Sequence, residues 1–492
     1  MTPIHTSFGD NARLTLDTIT DRASDIVQPT LRLGVTGLSR AGKTVFIAAL
    51  VHNLIHHGRL PMFEAMRSGR LSNVRLDEQP DDQIPRFDYE THIDRLVDER
   101  IWPDSTRAIS ELRLIIEYQS ASRWNRMFSR GRIAIDIVDY PGEWLLDLPL
   151  LGQDFATFSA QTEASAKTGV RAALARDWLG LCADCDYDAP ADEKTVKALN
   201  EAFTAYLRAC RADEHSLSTL PPGRFLMPGD LEGSPALTFA PLAGLGAEKP
   251  KRGSLGALME RRYEAYKSVV VKPFFRNHFA RLDRQIVLVD TLQALSRGPE
   301  AVADLEHALS EVLACFRPGR NTWLSSLVRR RIDRVLIAAT KADHLHHESH
   351  DRLEKLTRRL VDDATNTIGA SGAGIEVMAI ASVRATREAS VESGSSQLPV
   401  IVGTPMNGEK IGAETFDGKR KTAVFPGDLP ANPDAFFRLL RRGGKAPEHL
   451  ADINAVRFRP PEIDTNSQEG GLSIPHIRLD RVLQFLVGDR LA

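Results

Sequence analysis

One short run of residues limits more than any other what this chain can fold into. Residues 37–44 read GLSRAGKT and fit the pattern G-x-x-x-x-G-K-[ST]. An apolar, β-branched stretch at 31–36 precedes the run, and an apolar helical stretch at 45–55 follows it. In a strand, loop and helix of this kind, consecutive backbone N–H groups curl around an anion. The run therefore predicts a phosphate-binding loop in an α/β protein.

The side chains of this loop have separate expected roles. Lys43 supplies a mobile cation for the β- and γ-phosphates of a nucleotide, and the Thr44 hydroxyl is a ligand for Mg²⁺. Arg40 either approaches the γ-phosphate as an internal arginine finger or points into solvent, and the sequence leaves both open. The loop residues predicted to contact the nucleotide are Gly37, Leu38, Ser39, Arg40, Ala41, Gly42, Lys43, Thr44 and Val45.

A second acidic motif, D-x-x-G, ends the apolar stretch at 132–139. We expect Asp139 to hold Mg²⁺ through water and the Gly142 N–H to contact the γ-phosphate, so that this loop senses hydrolysis. Glu143 stands where Ras-like enzymes carry a glutamine that orients the attacking water. It is a candidate catalytic residue, and the alternative is a surface carboxylate on a mobile loop.

A further Mg²⁺ ligand is expected from a threonine in the loop that precedes the stretch 111–118. Thr106 is the first candidate and Ser105 the second, with a helix or strand cap as the alternative role. Loops of this kind are mobile, so the local pattern does not fix where the threonine lies.

A base-binding motif is predicted further along the chain. Thr340, Lys341 and Asp343 lie in T-K-A-D, directly after the apolar stretch RVLIAA, and resemble the N/T-K-x-D guanine motif. The aspartate would accept hydrogen bonds from guanine N1–H and the 2-amino group, a donor pair that adenine lacks. A plain turn is the alternative. The run Ala381, Ser382 and Val383 resembles the last guanine-contacting loop.

The order of apolar stretches predicts the architecture. Stretches at 31–36, 111–118, 132–139, 285–290, 334–340 and 375–382 indicate strands. The second and third are joined by a short polar connection and so form an antiparallel pair. The later ones alternate with helices, which favours a parallel sheet. The predicted fold is α/β: a mostly parallel sheet with one antiparallel strand and a large helical insertion, an arrangement that resembles the Ras-like G domain.

The same pattern divides the chain into segments. An N-terminal extension covers 1–30, and the two parts of the G domain cover 31–144 and 283–385. A mainly helical insertion separates them at 145–282, and an irregular or β insertion follows at 386–428. The segment 429–492 ends in a helix whose apolar face closes the sheet, with Leu479, Val482, Leu483, Leu486 and Val487 on that face.

Composition narrows the class of protein further. The net charge of −2 over 492 residues gives no electrostatic reason to expect nucleic-acid binding. Four cysteines in a chain of this length favour a reducing compartment. No signal-peptide pattern and no apolar run of membrane-spanning length is present. We therefore expect a cytoplasmic protein, with peripheral attachment through a partner left open.

The three motifs, in this order, resemble those of the TRAFAC-type GTPases. The segments GLSRAGKTVF, DYPGEWLLDLPLL, PPGRFLMPGDLEGSPALTFAPL and RQIVLVDTLQAL resemble the YcjX-like family of bacterial P-loop NTPases over nearly the whole chain. The resemblance implies a GTP- and GDP-binding, Mg²⁺-dependent NTPase with helical insertions. We also expect an unidentified protein partner that reads the nucleotide state through the inserted helices, with the inner membrane left open as its location.

The expected reaction is attack of water on the γ-phosphate of GTP by an enzyme that acts as a nucleotide-controlled switch. Three alternatives remain at this stage: an ATPase of the same fold, a small-molecule kinase, and a nucleotide-sensing scaffold that does not hydrolyse. The sequence does not identify the partner, the oligomeric state, the residue that positions water or the role of the insertion.

Overall fold

The architecture is described from a computed structural model, which covers residues 29–38, 40–104, 108–120, 131–212, 214–246, 249–316, 332–369, 373–393, 396–441, 453, 455–463 and 473–492. A seven-stranded sheet lies at its centre, with the strand order β2-β3-β4-β1-β5-β6-β7. The strands are β1 (Thr30–Gly37), β2 (Leu71–Asp77), β3 (Ser110–Tyr118), β4 (Gly131–Asp139), β5 (Arg284–Val289), β6 (Arg334–Ala339) and β7 (Gly374–Ala379).

Strand direction within this sheet follows the predicted pattern. β3 runs antiparallel to both of its neighbours, β2 and β4. The pairings of β1 with β4 and β5, of β5 with β6, and of β6 with β7 are all parallel. The prediction of a mostly parallel sheet with one antiparallel strand is therefore confirmed. β2 is an addition, because the sequence analysis predicted no strand at Leu71–Asp77.

Helices cover both faces of the sheet. Those between β1 and β4 are α1 (Lys43–Ile55), α2 (Glu64–Arg67) and α3 (Tyr89–Val97). Between β4 and β5 the chain forms α4 (Phe155–Ala166), α5 (Arg171–Leu174), α6 (Arg176–Asp184), α7 (Glu193–Arg211), α8 (Gly223–Leu226), α9 (Leu255–Tyr266) and α10 (Lys272–Asn277). After β5 come α11 (Thr291–Arg297), α12 (Pro299–Ala314), α13 (His350–Gly369), α14 (Pro433–Arg441) and α15 (Leu479–Val487).

Two hydrophobic cores lie on the two faces. The first contains α1 and α15, whose apolar side chains pack with inward residues of the strands such as Leu33, Ile286 and Leu336. The second joins the helices between β4 and β5 to the opposite strand face, through residues such as Val287 and Ile337. The central strands β1, β4, β5 and β6 are buried on both faces, and they consist of nearly continuous apolar runs.

The chain after β7 forms two small antiparallel sheets. One has the order β12-β9-β8, from β8 (Arg387–Ser393), β9 (Ser396–Gly403) and β12 (Thr422–Val424). The other pairs β10 (Lys410–Ile411) with β11 (Glu414–Thr415). Ile401, Val424, Val456 and Phe458 form a separate small core here.

None of the helices in the described part of the chain is long and apolar enough to cross a membrane.

Candidate nucleotide-binding site

The loop between β1 and α1 has the backbone of an anion cradle. Arg40 and Gly42 both have a left-handed backbone, with φ of 63° and 83°. Glycine adopts this conformation without the steric cost that a Cβ brings, whereas Arg40 is held there by the loop around it. The Ala41 N–H donates to the Leu38 carbonyl at 3.1 Å. Ser39, a predicted contact, lies outside the described residues.

Lys43 is the first residue of α1 and is almost completely buried, with 8% of its surface exposed. Its Nζ donates to the Gly37 carbonyl at 3.3 Å. Among the described residues, no carboxylate oxygen lies within 4.0 Å of this ammonium group. A buried charge is costly unless it is paired, so an ammonium with a carbonyl as its hydrogen-bond partner is suited to an incoming anion.

Two of the three predicted Mg²⁺ ligands belong to the described residues: Thr44, which follows Lys43 in the chain, and Asp139, on the strand next to β1. Thr44 is buried, and its hydroxyl donates to the backbone carbonyl of Asp104 at 3.3 Å. Asp139 is buried at the end of β4, level with Val35 of β1. Thr106, the third predicted ligand, and Ser105, its alternative, lie outside the described residues.

Gly142 is packed directly against the phosphate loop. A Cβ at this position would lie 2.6 Å from the Gly37 carbonyl oxygen, closer than real Cβ atoms come to a neighbouring atom. The Thr36 hydroxyl also donates to the Tyr140 carbonyl at 3.3 Å. The D-x-x-G motif and the phosphate loop are thus in contact, and glycine is required for that contact.

The chain after Gly142 is not a mobile surface loop. It forms a 3-10 helix, Gly142–Gly152, in which most side chains are buried. Glu143 is 3% exposed, which excludes the alternative of a surface carboxylate. Its Oε1 lies 3.2 Å from a guanidinium nitrogen of Arg211, the last residue of α7. Val45, the last of the predicted nucleotide contacts after the phosphate loop, is half-buried on α1.

Helices between β4 and β5 hold this 3-10 helix in place. The Asp147 carboxylate accepts the Gly223 N–H at 2.7 Å and the Tyr266 hydroxyl at 2.5 Å. The Arg224 guanidinium lies 3.2 Å from the centre of the Trp144 ring, a cation–π contact. The segment that follows the D-x-x-G motif is therefore fixed to the inserted helices on several sides.

Asp147 makes a testable contribution to the pH dependence of stability. Burial raises its pKa to about 7, whereas an unfolded aspartate has a pKa of about 3.9. Between these values the folded protein binds a proton that the unfolded chain does not. The free energy of unfolding therefore falls as the pH rises from about 4 to about 7, by up to about 4 kcal/mol at 1.36 kcal/mol per pKa unit.

We expect Asp147→Asn to remove this slope, because asparagine keeps an oxygen for the Gly223 N–H and does not titrate. Urea unfolding from pH 5 to pH 8 measures it, with the exposed Asp188→Asn as the control variant. An unchanged slope in Asp147→Asn would show that another group is responsible.

The predicted base motif follows β6. Lys341 has a left-handed backbone with φ of 60°, and its Nζ forms an ion pair with a carboxylate oxygen of Asp290. The Thr340 N–H donates to the Val289 carbonyl at 2.9 Å, and its hydroxyl donates to the same carbonyl at 3.3 Å. Asp290 was not among the predicted site residues, although it directly follows β5 as Asp139 ends β4.

Asp343 is buried and is held by the loop after β7. Its Oδ2 accepts the Ala385 N–H at 2.9 Å, and its backbone carbonyl accepts the Thr386 hydroxyl. In the same loop, the N–H of Ala381 donates to the Ile477 carbonyl at 3.1 Å and its carbonyl accepts the Ile477 N–H at 2.8 Å. The neighbouring Ser382 is half-buried and Val383 is buried.

All of these segments meet at one edge of the sheet, since each follows the carboxyl end of a strand. The phosphate loop follows β1 and the base motif follows β6, with β5 between them. Two strand spacings of about 4.8 Å separate the two motifs. Parallel α/β sheets bind ligands at this edge.

Three arginines from outside the phosphate loop lie near enough to Arg40 for their charges to affect it. Partial burial, and then the charges of Arg211, Arg457 and Arg297, lower the pKa of Arg40. Arg211 and Arg457 are themselves ion-paired, with Glu143 and Glu409, and their positive charges still act on the loop. Arg211, Arg297 and Arg457 were not predicted, because nothing in their local sequence places them beside the loop.

Comparison with known proteins agrees with this geometry. The family model described as "YcjX-like family, DUF463" matches residues 31–491. The chain belongs to the YcjX-like family. It is 38% identical over 473 residues to the Ras-like GTPase YcjX of Escherichia coli (strain K12), covering 94% of this chain and 96% of the relative. It is 34% identical over 502 residues to the Ras-like GTPase YcjX of Shewanella oneidensis, covering 97% and 99%.

Membership of the YcjX-like family confirms the predicted resemblance and the α/β fold. The names of the relatives and the site geometry together identify this YcjX-like chain as a GTPase-like P-loop protein.

Proposed function

We propose that this protein binds GTP with Mg²⁺, hydrolyses the γ-phosphate with water and uses the nucleotide state as a switch. The observation that carries the proposal is Lys43: a buried ammonium at the head of a helix, with a carbonyl partner and no carboxylate nearby among the described residues. The positive end of the α1 dipole adds to the attraction for an anion. A nucleotide phosphate provides the missing negative charge.

The donor atoms at the site fit magnesium. The Thr44 hydroxyl and the Asp139 carboxylate are both buried, and oxygen ligands of these types are the ones that Mg²⁺ takes. When bound, the ion would neutralise charge on the β- and γ-phosphates. Lys43 and the loop N–H groups would hold the phosphates, and Glu143 would orient the attacking water.

Guanine preference rests on Asp343. Its carboxylate is buried and accepts a hydrogen bond from the Ala385 N–H. Asp343 follows β6, and β5 alone separates β6 from β1, the strand that leads into the phosphate loop. A carboxylate held in this way accepts from guanine and has no matching donors on adenine. Lys341, paired with Asp290, would pack its aliphatic stem against the base. Ala381, Ser382 and Val383 would lie beside the base in the same pocket.

The helices of the insertion, which we place at 145–282, would respond to the nucleotide state. Because they hold the 3-10 helix Gly142–Gly152, a shift of Gly142 on hydrolysis would reach them directly. We propose that they transmit the nucleotide state to a protein partner in the cytoplasm or at the inner membrane.

Titration calorimetry and phosphate release test the proposal. We expect Mg²⁺–GTP to bind at least about 10-fold more tightly than Mg²⁺–ATP, a difference of about 1.4 kcal/mol. Inorganic phosphate should appear without any added acceptor, and EDTA should abolish its release. A kinase would need an acceptor molecule, and a scaffold would bind GTP without turnover. Absence of binding by both nucleotides would overturn the proposal.

A further inference from the structure

The ion pair between Glu143 and Arg211 is unusual in its chemistry. Glu143 is buried, yet neither of its carboxylate oxygens accepts a hydrogen bond within the described residues. The 3.2 Å contact with Arg211 is a single ion pair without hydrogen-bond geometry. Burying a carboxylate with one loose counter-charge is costly compared with a bidentate pair. The arrangement therefore suits a pair that must separate easily.

Arg211 is placed by a rigid element. It is the last residue of the 19-residue helix α7, whose buried face includes Phe203, Tyr206 and Cys210. Tyr206 stacks on Trp178 with ring centres 5.7 Å apart, and the Asp192 side chain caps the helix at its other end. The backbone from which the Arg211 guanidinium extends is therefore held in a defined position.

The position of Arg211 is next to the phosphate site. Glu143 directly follows Gly142, which touches the Gly37 carbonyl of the phosphate loop. On the other side, the charge of Arg211 acts on Arg40 of the same loop. The guanidinium thus contacts Glu143 of the D-x-x-G segment and is near enough to Arg40 for its charge to act on the phosphate loop.

We infer that Arg211 is the cation that the inserted helices supply to the transition state of GTP hydrolysis, and that Glu143 retains it when no triphosphate is bound. The inference rests on the proposed GTPase function and deepens it. A triphosphate carries more negative charge than one carboxylate, so it competes for the guanidinium. Its arrival also leaves the Glu143 carboxylate open to the attacking water.

The chemical step balances without any further reactant. The water oxygen forms a bond to the γ-phosphorus, while the bond from that phosphorus to the β–γ bridging oxygen breaks. The bridging oxygen keeps the electron pair and leaves on GDP, and the other products are inorganic phosphate and one proton released to solvent. Arg211 donates hydrogen bonds to the oxygens on which negative charge increases.

Arg40 is the competing candidate for this role. It belongs to the phosphate loop itself and is only partly buried, so solvent shields part of its charge. Its backbone is fixed by the loop, and it would contact the nucleotide equally before and during the reaction. We therefore expect loss of Arg40 to weaken GTP binding, and loss of Arg211 to slow hydrolysis.

Single-turnover hydrolysis by Arg211→Ala and Arg211→Lys tests the inference, with Arg208→Ala as the control on the exposed face of the same helix. We expect both Arg211 variants to lose on the order of 100- to 1000-fold in rate, because lysine lacks the planar fork. Affinity for GDP should change less than about threefold, while affinity for GDP with aluminium fluoride should fall in parallel with the rate. Arg208→Ala should behave as wild type.

The outcomes separate this inference from the proposed function. If wild type hydrolyses GTP and both Arg211 variants do so at the same rate, the inference is overturned and the GTPase proposal stands. If the rate and the GDP affinity fall together, Arg211 is a structural residue and the inference is again overturned. If wild type itself neither binds nor hydrolyses GTP, the proposed function fails first. Should Arg211→Ala not fold, Arg211→Lys, which keeps the charge opposite Glu143, decides alone.

Discussion

Replacement of Lys43 by alanine is expected to reduce GTP affinity by about 100-fold or more and to abolish turnover. Removing one partner of a buried charge pair costs about 2–5 kcal/mol, and each 1.4 kcal/mol is tenfold in affinity. The lysine is buried, its Nζ contacts the Gly37 carbonyl, and the phosphate is its proposed counter-ion. Titration calorimetry with Mg²⁺–GTP measures the loss.

Stability measurements distinguish a lost ligand contact from a damaged fold. Without nucleotide, Lys43→Ala should keep the free energy of unfolding of wild type within about 1 kcal/mol, because the change removes a buried charge along with its packing. At a GTP concentration of about 10 times the Kd of wild type, the melting temperature of wild type should rise, while that of the variant should stay nearly unchanged. Lys197→Ala, an exposed change on α7, serves as the control. Full GTP binding by Lys43→Ala would contradict the assignment of the phosphate loop.

The parts of the fold that the sequence predicted correctly are those with a local cause. The phosphate loop, its strand and its helix are contiguous, so one window of residues contains the whole pattern. The strands β1, β4, β5 and β6 are buried on both faces and consist of apolar runs that stand out against their neighbours. The five apolar residues predicted for the face of α15 are all buried, for the same reason of simple periodicity.

β2 was missed because it lies at the sheet edge. Only Leu71 and Val74 of its seven residues are buried, and four of the other five are polar. Its register with β3 also shifts between Leu71 and Asn73. An edge strand with two core positions produces no alternation that a short window can detect, and its pairing is decided by β3, which lies far away in the sequence.

The site residues that were missed have long-range causes. Arg211 ends a helix, where a basic residue is already explained by the helix dipole, so its sequence context gave no signal. Asp290 could have been found, because it directly follows a buried parallel strand at the edge where ligands bind. Ala381, in the loop after β7, pairs with Ile477 of the C-terminal segment. No local sequence pattern predicts this pairing, because the two residues are far apart in the chain.

Replacement of Asp343 by asparagine is expected to change base preference from guanine to xanthine. Guanine presents N1–H and a 2-amino group, both donors, to the carboxylate. Xanthine has an oxygen in place of the amino group, which accepts from the asparagine amide. We expect GTP affinity to fall by about 100-fold and XTP affinity to exceed it, because a mismatched buried donor or acceptor costs several kcal/mol.

The geometry around Asp343 makes this substitution informative. Its Oδ2 accepts the Ala385 N–H at 2.9 Å, and the asparagine oxygen can keep that bond while its amide nitrogen faces the base. The loop after β7 should therefore stay in place, and a change in preference reports on the base alone. Competition of GTP, XTP and ATP for a fluorescent guanine nucleotide measures the order of affinities, with the exposed Asp428→Asn as the control. If XTP gains nothing in the variant, guanine is recognised elsewhere and T-K-A-D is a structural turn.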